Sequence, residues 1–275
     1  MIRRSGTLTA VFMVAASVAG GAPARAQQFE TWKNADPTRG PVMACNALRS
    51  LSGYEFSIDT ASSVPAQEGG VPYCRVVGLV QPEVRFEVSL PEGWNGRLYM
   101  FGNGGFAGES LTAPNRAGRR SAALAKGFAV AQTNTGHDAA REPLASFAGD
   151  PQKFADYAYR AVHVTAVTAK TLARAYYGAQ AARAYFDGCS SGGRQGLIAA
   201  QRFPDDFDGI VVGAPVLDFS GTMLHYLQAH QALRAAPGLA SKLAALASAI
   251  YQKCDAVDGV TDSAIEDPRA CRFDP

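Results

Sequence analysis

The pattern of apolar and polar positions divides most of the chain into short strands that alternate with helices. It predicts strands over 73–80, 84–90, 97–101, 128–133, 183–186 and 210–215. Apolar positions three and four residues apart predict helices over 117–126, 154–177, 196–203 and 222–249, and residues 62–72 are predicted to form a loop. This alternation indicates an α/β protein with a mostly parallel sheet.

The N-terminal segment has the pattern of a signal peptide. Arg3 and Arg4 precede a short apolar run over 8–18, and Ala24-Arg25-Ala26 fits a cleavage site. The run is too short to span a bilayer comfortably, although a retained membrane anchor is the alternative. We therefore expect a secreted or periplasmic protein with no membrane contact after cleavage.

Composition and charge bear on the possible partners. With 47% hydrophobic and 18% charged residues, the 275-residue chain can bury one large core, with or without a partial second lobe. The formal net charge is +2 and there is no basic block, so nucleic-acid binding has no electrostatic support.

One motif is typical of a nucleophilic serine. Gly188-Cys189-Ser190-Ser191-Gly192 is G-x-S-x-G, and it lies between a predicted strand and a predicted helix. In α/β-hydrolases this motif forms a sharp strand-to-helix turn that lifts the serine hydroxyl out of the sheet. The glycines are needed because a side chain two residues from the serine would collide with neighbouring backbone. We therefore predict Ser190 as a nucleophile on an α/β-hydrolase-type sheet.

A glycine-rich segment, residues 102–108, directly follows the predicted strand 97–101. A loop at this place supplies one amide of an oxyanion hole in α/β-hydrolases, and the residue after the nucleophile supplies the other. The predicted donors are the amides of Ser191 and of Gly104 or Gly105. A plain flexible turn is one alternative. A phosphate-binding loop is another, although Ala107 breaks the G-x-G-x-x-G pattern.

None of the four histidines is a convincing base for Ser190. His137 follows the strand 128–133 and could line the site, although a structural hydrogen-bonding role is favoured. His163 lies within a predicted helix, as a packed or surface residue. His225 and His230 lie on the lid-like helix.

The chain has five cysteines, and an odd number leaves one without an intrachain partner. We predict that a disulfide between Cys45 and Cys74 ties the lead-in to the first strand. A second, between Cys254 and Cys271, would close the intervening acidic loop and leave Cys189 unpaired.

That acidic loop carries Asp255, Asp258 and Asp262, with Gly259 permitting a tight turn. Carboxylate and carbonyl oxygens are the ligands that calcium prefers. The spacing is not that of an EF-hand, so the alternatives from the residues alone are a calcium site and a solvated acidic loop.

Several motifs together resemble the tannase/feruloyl esterase family of secreted serine esterases, which includes the mono(hydroxyethyl)terephthalate hydrolases. The resemblance runs from about Cys45 to the end of the chain, in family order. The matching segments are 102–105, 133–137, 160–163, 185–196, 207–215 and 254–262.

The resemblance implies that Ser190 is the nucleophile and that an aspartate and a histidine follow further along. It also implies that the cysteine before the serine bridges to a cysteine beside that histidine. The implied substrates are small aromatic acyl esters of the feruloyl or galloyl type. The implied structural calcium site takes carboxylates from Asp255, Asp258 and Asp262 and main-chain carbonyls from Val260 and Ala264.

Family members continue past the calcium loop, whereas this sequence stops at Pro275. We therefore expect a C-terminally truncated chain that lacks the catalytic acid and base, with impaired activity, since a serine without its base is a weak nucleophile. The predicted divisions are a signal peptide (1–26), the N-terminal part of an α/β-hydrolase domain (27–218) and the start of an inserted lid domain with the calcium loop (219–275). The alternatives are a non-catalytic calcium-binding remnant, an exported binding module, and a serine peptidase or acyltransferase on the same fold.

Overall fold

The computed structural model describes residues 38–66, 70–236 and 238–274, so the predicted signal peptide lies outside the described residues. Seven strands form one sheet in the order β1-β2-β3-β5-β4-β6-β7. The strands are β1 (Ser57–Val64), β2 (Tyr73–Val80), β3 (Val84–Pro91), β4 (Arg97–Phe101), β5 (Ala129–Thr133), β6 (Arg183–Cys189) and β7 (Gly209–Gly213).

The sheet is mixed but mostly parallel, as the alternating pattern predicted. β4 pairs in parallel with β5 and β6, and β6 with β7. β2 pairs antiparallel with β3, which pairs antiparallel with β5, so β2 points the same way as this parallel group. Only β1 and β3 run the other way. The carboxyl ends of β4, β5 and β6 therefore meet at one edge, where ligand-binding loops of open sheets lie.

The first strand, β1, was not predicted, and the loop prediction over 62–72 was wrong where it overlaps this strand. β1 reads Ser-Ile-Asp-Thr-Ala-Ser-Ser-Val, a mostly polar sequence without clean alternation. It lies at the edge of the sheet and pairs only with β2, with a register shift between Ile58 and Thr60. An irregular edge strand with one buried side carries little hydrophobic signal.

Two helical layers cover the sheet. The main helices are α1 (Pro114–Leu124), α2 (Pro151–Ala155), α3 (Ala161–Tyr177), α4 (Ser191–Arg202), α5 (Phe219–Ala235) and α6 (Leu239–Cys254). The chain steps sideways from β4 to β5 and then crosses back over β4 to β6. Because such crossovers are right-handed, the reversal places α1 on one face and α3 and α4 on the other.

The main core lies between the sheet and α3 and α4. Alternate strand residues such as Leu98 and Met100 point into it, and the alanine-rich face of α3 packs against them. Trp94 is fully buried and stacks on Tyr177, with ring centroids 4.3 Å apart. Neighbouring strand residues, including Phe101, point to the smaller core under α1. Period-two alternation thus divides each strand between two cores.

The layer under α1 is unusually polar. Glu87 is fully buried on β3 and forms salt bridges with Arg75 at 2.6 Å and with Arg120 at 2.8 Å. Arg116, also buried, donates to Gln132 at 2.8 Å. A buried carboxylate needs such partners because removing it from water unpaired is costly. This explains why α1 is rich in arginine although it packs on a sheet.

Two predicted helices are each divided in the structure. The helix predicted over 154–177 is interrupted by a π-helical turn at Asp156–Arg160, between α2 and α3. The helix predicted over 222–249 is two helices, α5 and α6, and Gly238 before α6 has a φ of 87°. Asp218 caps α5 by accepting a hydrogen bond from the Gly221 amide at 2.8 Å. The start of α5 agrees with the predicted domain boundary, but the division into domains stays a prediction.

The two predicted disulfides are present, Cys45–Cys74 and Cys254–Cys271, and Cys189 is free and exposed. The first bridge joins a 3₁₀ helix (Cys45–Leu51) to β2. Among the described residues, no helix is both long enough and apolar enough to cross a membrane.

Candidate active site

Ser190 occupies a sharp turn between β6 and α4. Its backbone has φ 58° and ψ −120°, a region that non-glycine residues adopt rarely and at a cost in strain. Hydrogen bonds on both sides hold the turn: the Ser190 amide donates to the Gly213 carbonyl at 3.0 Å, and the Ser190 carbonyl accepts from the Arg194 amide at 3.1 Å. Ser190 is partly exposed at this edge of the sheet.

The two motif glycines permit this turn. A Cβ on Gly188 would lie 2.2 Å from the carbonyl oxygen of Gly192, and a Cβ on Gly192 would lie 3.0 Å from the carbonyl oxygen of Asn103. The first distance is far inside any real contact, and both neighbours are backbone atoms that cannot rotate away. The G-x-S-x-G pattern is therefore required by the close approach of β6, α4 and the segment after β4.

That segment, residues 102–108, is called here the glycine loop. It lies across the first turn of α4, where the Ser191 hydroxyl donates to the Gly105 carbonyl at 2.6 Å. The Asn103 amide donates to Oε1 of Gln195 at 3.0 Å, one turn further along α4. The structure thus brings the loop that carries Gly104 and Gly105 next to the residue that follows Ser190.

The structure distinguishes the two candidate amides of the glycine loop. The Gly104 amide donates to Oε1 of Glu109 at 3.2 Å, and Glu109 is itself paired with buried Arg116. The Gly105 amide makes no hydrogen bond within the described part of the chain. The amide of Ser191, at the first position of α4, likewise has no helical acceptor. Among the described residues, the Gly105 and Ser191 amides are therefore free to donate, each on a segment next to the Ser190 turn.

The cleft beside the turn is small. It has a volume of about 180 Å³ and is lined by the glycine loop, Glu109, Arg119 and Cys189. Ligand pockets typically enclose about 300–1,000 Å³, so this cleft can hold only part of a drug-sized ester. A larger cavity of about 480 Å³ lies elsewhere, between the end of β2 and α3, and is lined in part by Tyr54 and His163.

His137 is buried beside the glycine loop, where a Cβ on Gly108 would lie 2.6 Å from its Nε2, and no hydrogen bond joins it to Ser190 among the described residues. Its ring stacks on Phe147 with centroids 3.9 Å apart, and the residue is 1% exposed. Neither ring nitrogen makes a hydrogen bond of ordinary geometry with the described residues. Burial lowers the pKa of His137, which favours the neutral imidazole. The sequence favoured a structural hydrogen-bonding role for His137, whereas the main contact of the ring in the described residues is this stacking, and the role of the residue stays a prediction.

A histidine–aspartate pair that sequence reasoning missed joins α3 to the segment after α4. Nδ1 of His163 lies 2.8 Å from Oδ2 of Asp206, and the imidazole stacks on Phe203 at 4.0 Å. Burial raises the pKa of Asp206, and the contact with His163 opposes that shift. Phe203 follows the C-terminus of α4, whereas Ser190 precedes its N-terminus. A helix of 12 residues is about 18 Å long, so this pair cannot serve Ser190.

Comparison with known proteins identifies the family. The family model described as "Tannase and feruloyl esterase" matches residues 68–275. The chain belongs to the tannase and feruloyl esterase family. It is 37% identical over 258 residues to an uncharacterized esterase of Xanthomonas campestris pv. campestris, covering 86% of this chain and 44% of that protein.

Two further relatives of this esterase family carry more specific names. The chain is 30% identical over 274 residues to a mono(2-hydroxyethyl) terephthalate hydrolase of Piscinibacter sakaiensis, covering 90% of this chain and 42% of that protein. The crystal structure of feruloyl esterase B from Aspergillus oryzae superposes with a TM-score of 0.70 at 29% identity, covering 83% of this chain and 49% of that one. The chain thus spans less than half the length of these relatives.

Two aspartates that follow Ser190 in the sequence make hydrogen bonds to backbone amides. Asp208 accepts from the Ala184 amide at 2.8 Å, and Asp218 caps α5. His225 and His230 are exposed on α5. Within the described residues, no hydrogen bond is made to the hydroxyl of Ser190.

The aspartates of the implied calcium loop bind the loop's own backbone. Oδ1 of Asp255 accepts from the Ser263 amide at 2.9 Å, and Oδ1 of Asp258 accepts from the Val260 amide at 2.9 Å. Oδ1 of Asp262 accepts from a backbone amide two residues on, at 3.0 Å. In the described ranges, no three histidine, cysteine, aspartate or glutamate side chains are grouped to hold a metal ion. Calcium binding stays a prediction.

Proposed function

We propose that this chain carries the nucleophile and oxyanion hole of a carboxylic-ester hydrolase that acts on small aromatic acyl esters of the feruloyl or galloyl type. The observation that carries the proposal is the strained turn at Ser190, flanked by the unengaged amides of Ser191 and Gly105. The substrate class rests on the family and on the names of similar proteins, among them feruloyl esterase B.

The proposed reaction is acyl transfer to water. Oγ of Ser190 bonds to the ester carbonyl carbon, and its proton passes to the histidine base that the family resemblance implies. The carbonyl oxygen becomes an oxyanion that accepts hydrogen bonds from the amides of Ser191 and Gly105. The C–O bond to the alcohol breaks, and the alcohol leaves with the proton. Water then attacks the acyl-enzyme, releases the carboxylic acid and regenerates the Ser190 hydroxyl.

The proposed location is outside the cytoplasm. Two disulfides fit an oxidising compartment, and the family resemblance is to secreted enzymes. The remaining proposals are a small-molecule ester as the binding partner and a calcium ion in the 255–264 loop with a structural role only.

The test is acylation of the purified chain by p-nitrophenyl acetate and p-nitrophenyl ferulate. The reaction is monitored by the p-nitrophenolate that each ester releases. We expect release to depend on Ser190, so that Ser190→Ala abolishes it and Ser241→Ala, an exposed serine on α6, leaves it unchanged. Equal release from wild type and Ser190→Ala would refute the proposal. Faster reaction with a peptide or a thioester would favour the peptidase or acyltransferase alternative.

A further inference from the structure

Gly105 has no side chain to pack, and its carbonyl is held by hydrogen bonds. A Cβ on Gly105 would have no described atom within 4 Å, and the backbone there has a φ of 50°. A glycine in open space can adopt many conformations, so only its bonded neighbours can fix it. The direction of the Gly105 amide therefore depends on the hydrogen bonds to the peptide groups on either side.

Both of those peptide groups are fixed. The Gly104 carbonyl accepts from the Ala107 amide at 2.8 Å. The Gly105 carbonyl accepts from two hydroxyls, Ser191 Oγ at 2.6 Å and Tyr157 Oη at 2.9 Å. Because the N–H and C=O of a trans peptide point in opposite directions, fixing the Gly104 carbonyl also fixes the Gly105 amide. The two hydroxyls fix the next peptide plane, that of the Gly105 carbonyl and the Phe106 amide, and this plane is joined to the Gly105 amide through the backbone torsions of Gly105.

Tyr157 is itself held rigidly. It is 8% exposed, and it lies in the π-helical turn between α2 and α3. Such turns leave carbonyls without their usual α-helical donors. Here Arg194 of α4 donates to the carbonyls of Ala158 at 3.0 Å and of Tyr157 at 3.3 Å, and its guanidinium lies 4.7 Å from the Tyr157 ring centroid. The phenol of Tyr157 is therefore tied to the same helix that begins beside Ser190.

We propose that Tyr157 is a positioning residue for the oxyanion hole, acting together with the side chain of Ser191 on the Gly105 carbonyl. The inference rests on the proposed function and adds to it a residue outside the G-x-S-x-G motif. Tyr157 acts through Gly105, so it stabilises the transition state without binding the ground-state ester. Ser191 then has two separate roles: its amide is an oxyanion donor, and its hydroxyl holds the Gly105 carbonyl in place.

The two hydrogen bonds to the Gly105 carbonyl are partly redundant, so the single and double variants should differ by predictable factors. Loss of one neutral hydrogen bond should lower the limiting acylation rate about fivefold, because the other hydroxyl still holds the carbonyl. Loss of both should lower it about 100-fold or more, as the removal of an oxyanion donor does. The limiting acylation rate of the double variant would thus fall by more than the product of the two factors for the single variants.

The experiment measures single-turnover acylation of the full chain over a range of p-nitrophenyl acetate concentrations. The variants are Tyr157→Phe, Ser191→Ala, the double variant, and Ser191→Thr, which restores a hydroxyl. Tyr159→Phe is the matched control, since Tyr159 lies two residues away and packs against Arg202. Thermal melts identify any variant that does not fold.

We expect a lower limiting rate with an unchanged half-saturation concentration, recovery in Ser191→Thr, and no change in Tyr159→Phe. Ser190-dependent acylation that proceeds at the wild-type rate in a folded double variant would overturn the inference and leave the proposed function intact. The inference would also be overturned if the limiting acylation rate of the double variant fell only by the product of the two factors measured for the single variants. Absence of any reaction at Ser190 in the wild type would refute the proposed function and this inference with it.

Discussion

The most direct structural perturbation of the turn is Gly188→Ala. The added Cβ would lie 2.2 Å from the Gly192 carbonyl oxygen and 2.4 Å from the Gly192 carbonyl carbon. Real Cβ atoms stay at least 3.0 Å from such neighbours, so β6 and α4 must separate locally by about 0.8 Å, which is 3.0 minus 2.2. Overpacking of this kind costs about 1–3 kcal/mol of stability. Catalytic groups tolerate only about 0.5 Å of displacement.

The expected consequence for Ser190 is larger than the loss of stability. A misplacement of about 1 Å can cost about 100-fold in rate, so we expect Gly188→Ala to lower acylation by p-nitrophenyl acetate by about that factor. The matched control is Gly118→Ala on α1, where the added Cβ has no described neighbour within 4 Å. That substitution should stabilise the chain by about 0.5–1 kcal/mol and leave the acylation rate unchanged.

The assay combines a urea unfolding curve with the single-turnover acylation rate for each variant. A folded Gly188→Ala chain that acylates at the wild-type rate would refute the reasoning, because it would show that Ser190 does not depend on the close contact between β6 and α4.

Three further predictions concern stability. Because burial lowers the pKa of His137 below 6.5, the unfolded chain binds more protons than the folded chain between these two pKa values. The free energy of unfolding should therefore decrease as the pH falls below 6.5, by up to about 1.4 kcal/mol per pH unit, and His137→Gln should remove that slope in urea titrations. Replacing Cys45 and Cys74, which close a loop of 29 residues, by serine should lower the free energy of unfolding by about 3–4 kcal/mol, and an unchanged urea midpoint would contradict this. Calcium at about 100 times its dissociation constant should stabilise the chain by about 2.7 kcal/mol, whereas equal melting temperatures with calcium and with a chelator would count against the calcium site.

The parts of the fold that were predicted are those with a local signal. β2 and β4 have the predicted bounds, because each is a short apolar or alternating run between turn residues. The turn at Ser190 was predicted because the close approach of backbones leaves room only for glycine at Gly188 and Gly192. Steric exclusion by the backbone therefore requires glycine at fixed positions relative to the serine, and this spacing can be recognised in the sequence.

The features that were missed depend on contacts between distant residues. The π-helical turn at Asp156–Arg160 keeps the apolar spacing of a helix, so periodicity does not reveal it. The pair of His163 and Asp206 joins residues 43 apart in the sequence. The hydrogen bond from the Gly104 amide to the carboxylate of Glu109 is a further contact that no spacing rule specifies. These are properties of the packed chain.

The central claim is that Ser190 is a nucleophile presented by a strained turn. Its most direct measurement is covalent labelling of the purified chain with an alkyl fluorophosphonate, in which Oγ displaces fluoride from phosphorus, followed by peptide mapping by mass spectrometry. Because the expected base is absent from this chain, we predict slow labelling that gives one adduct on Ser190, none in Ser190→Ala, and still slower labelling in Gly188→Ala. An adduct on another residue, or a chain that remains unlabelled, would contradict the account.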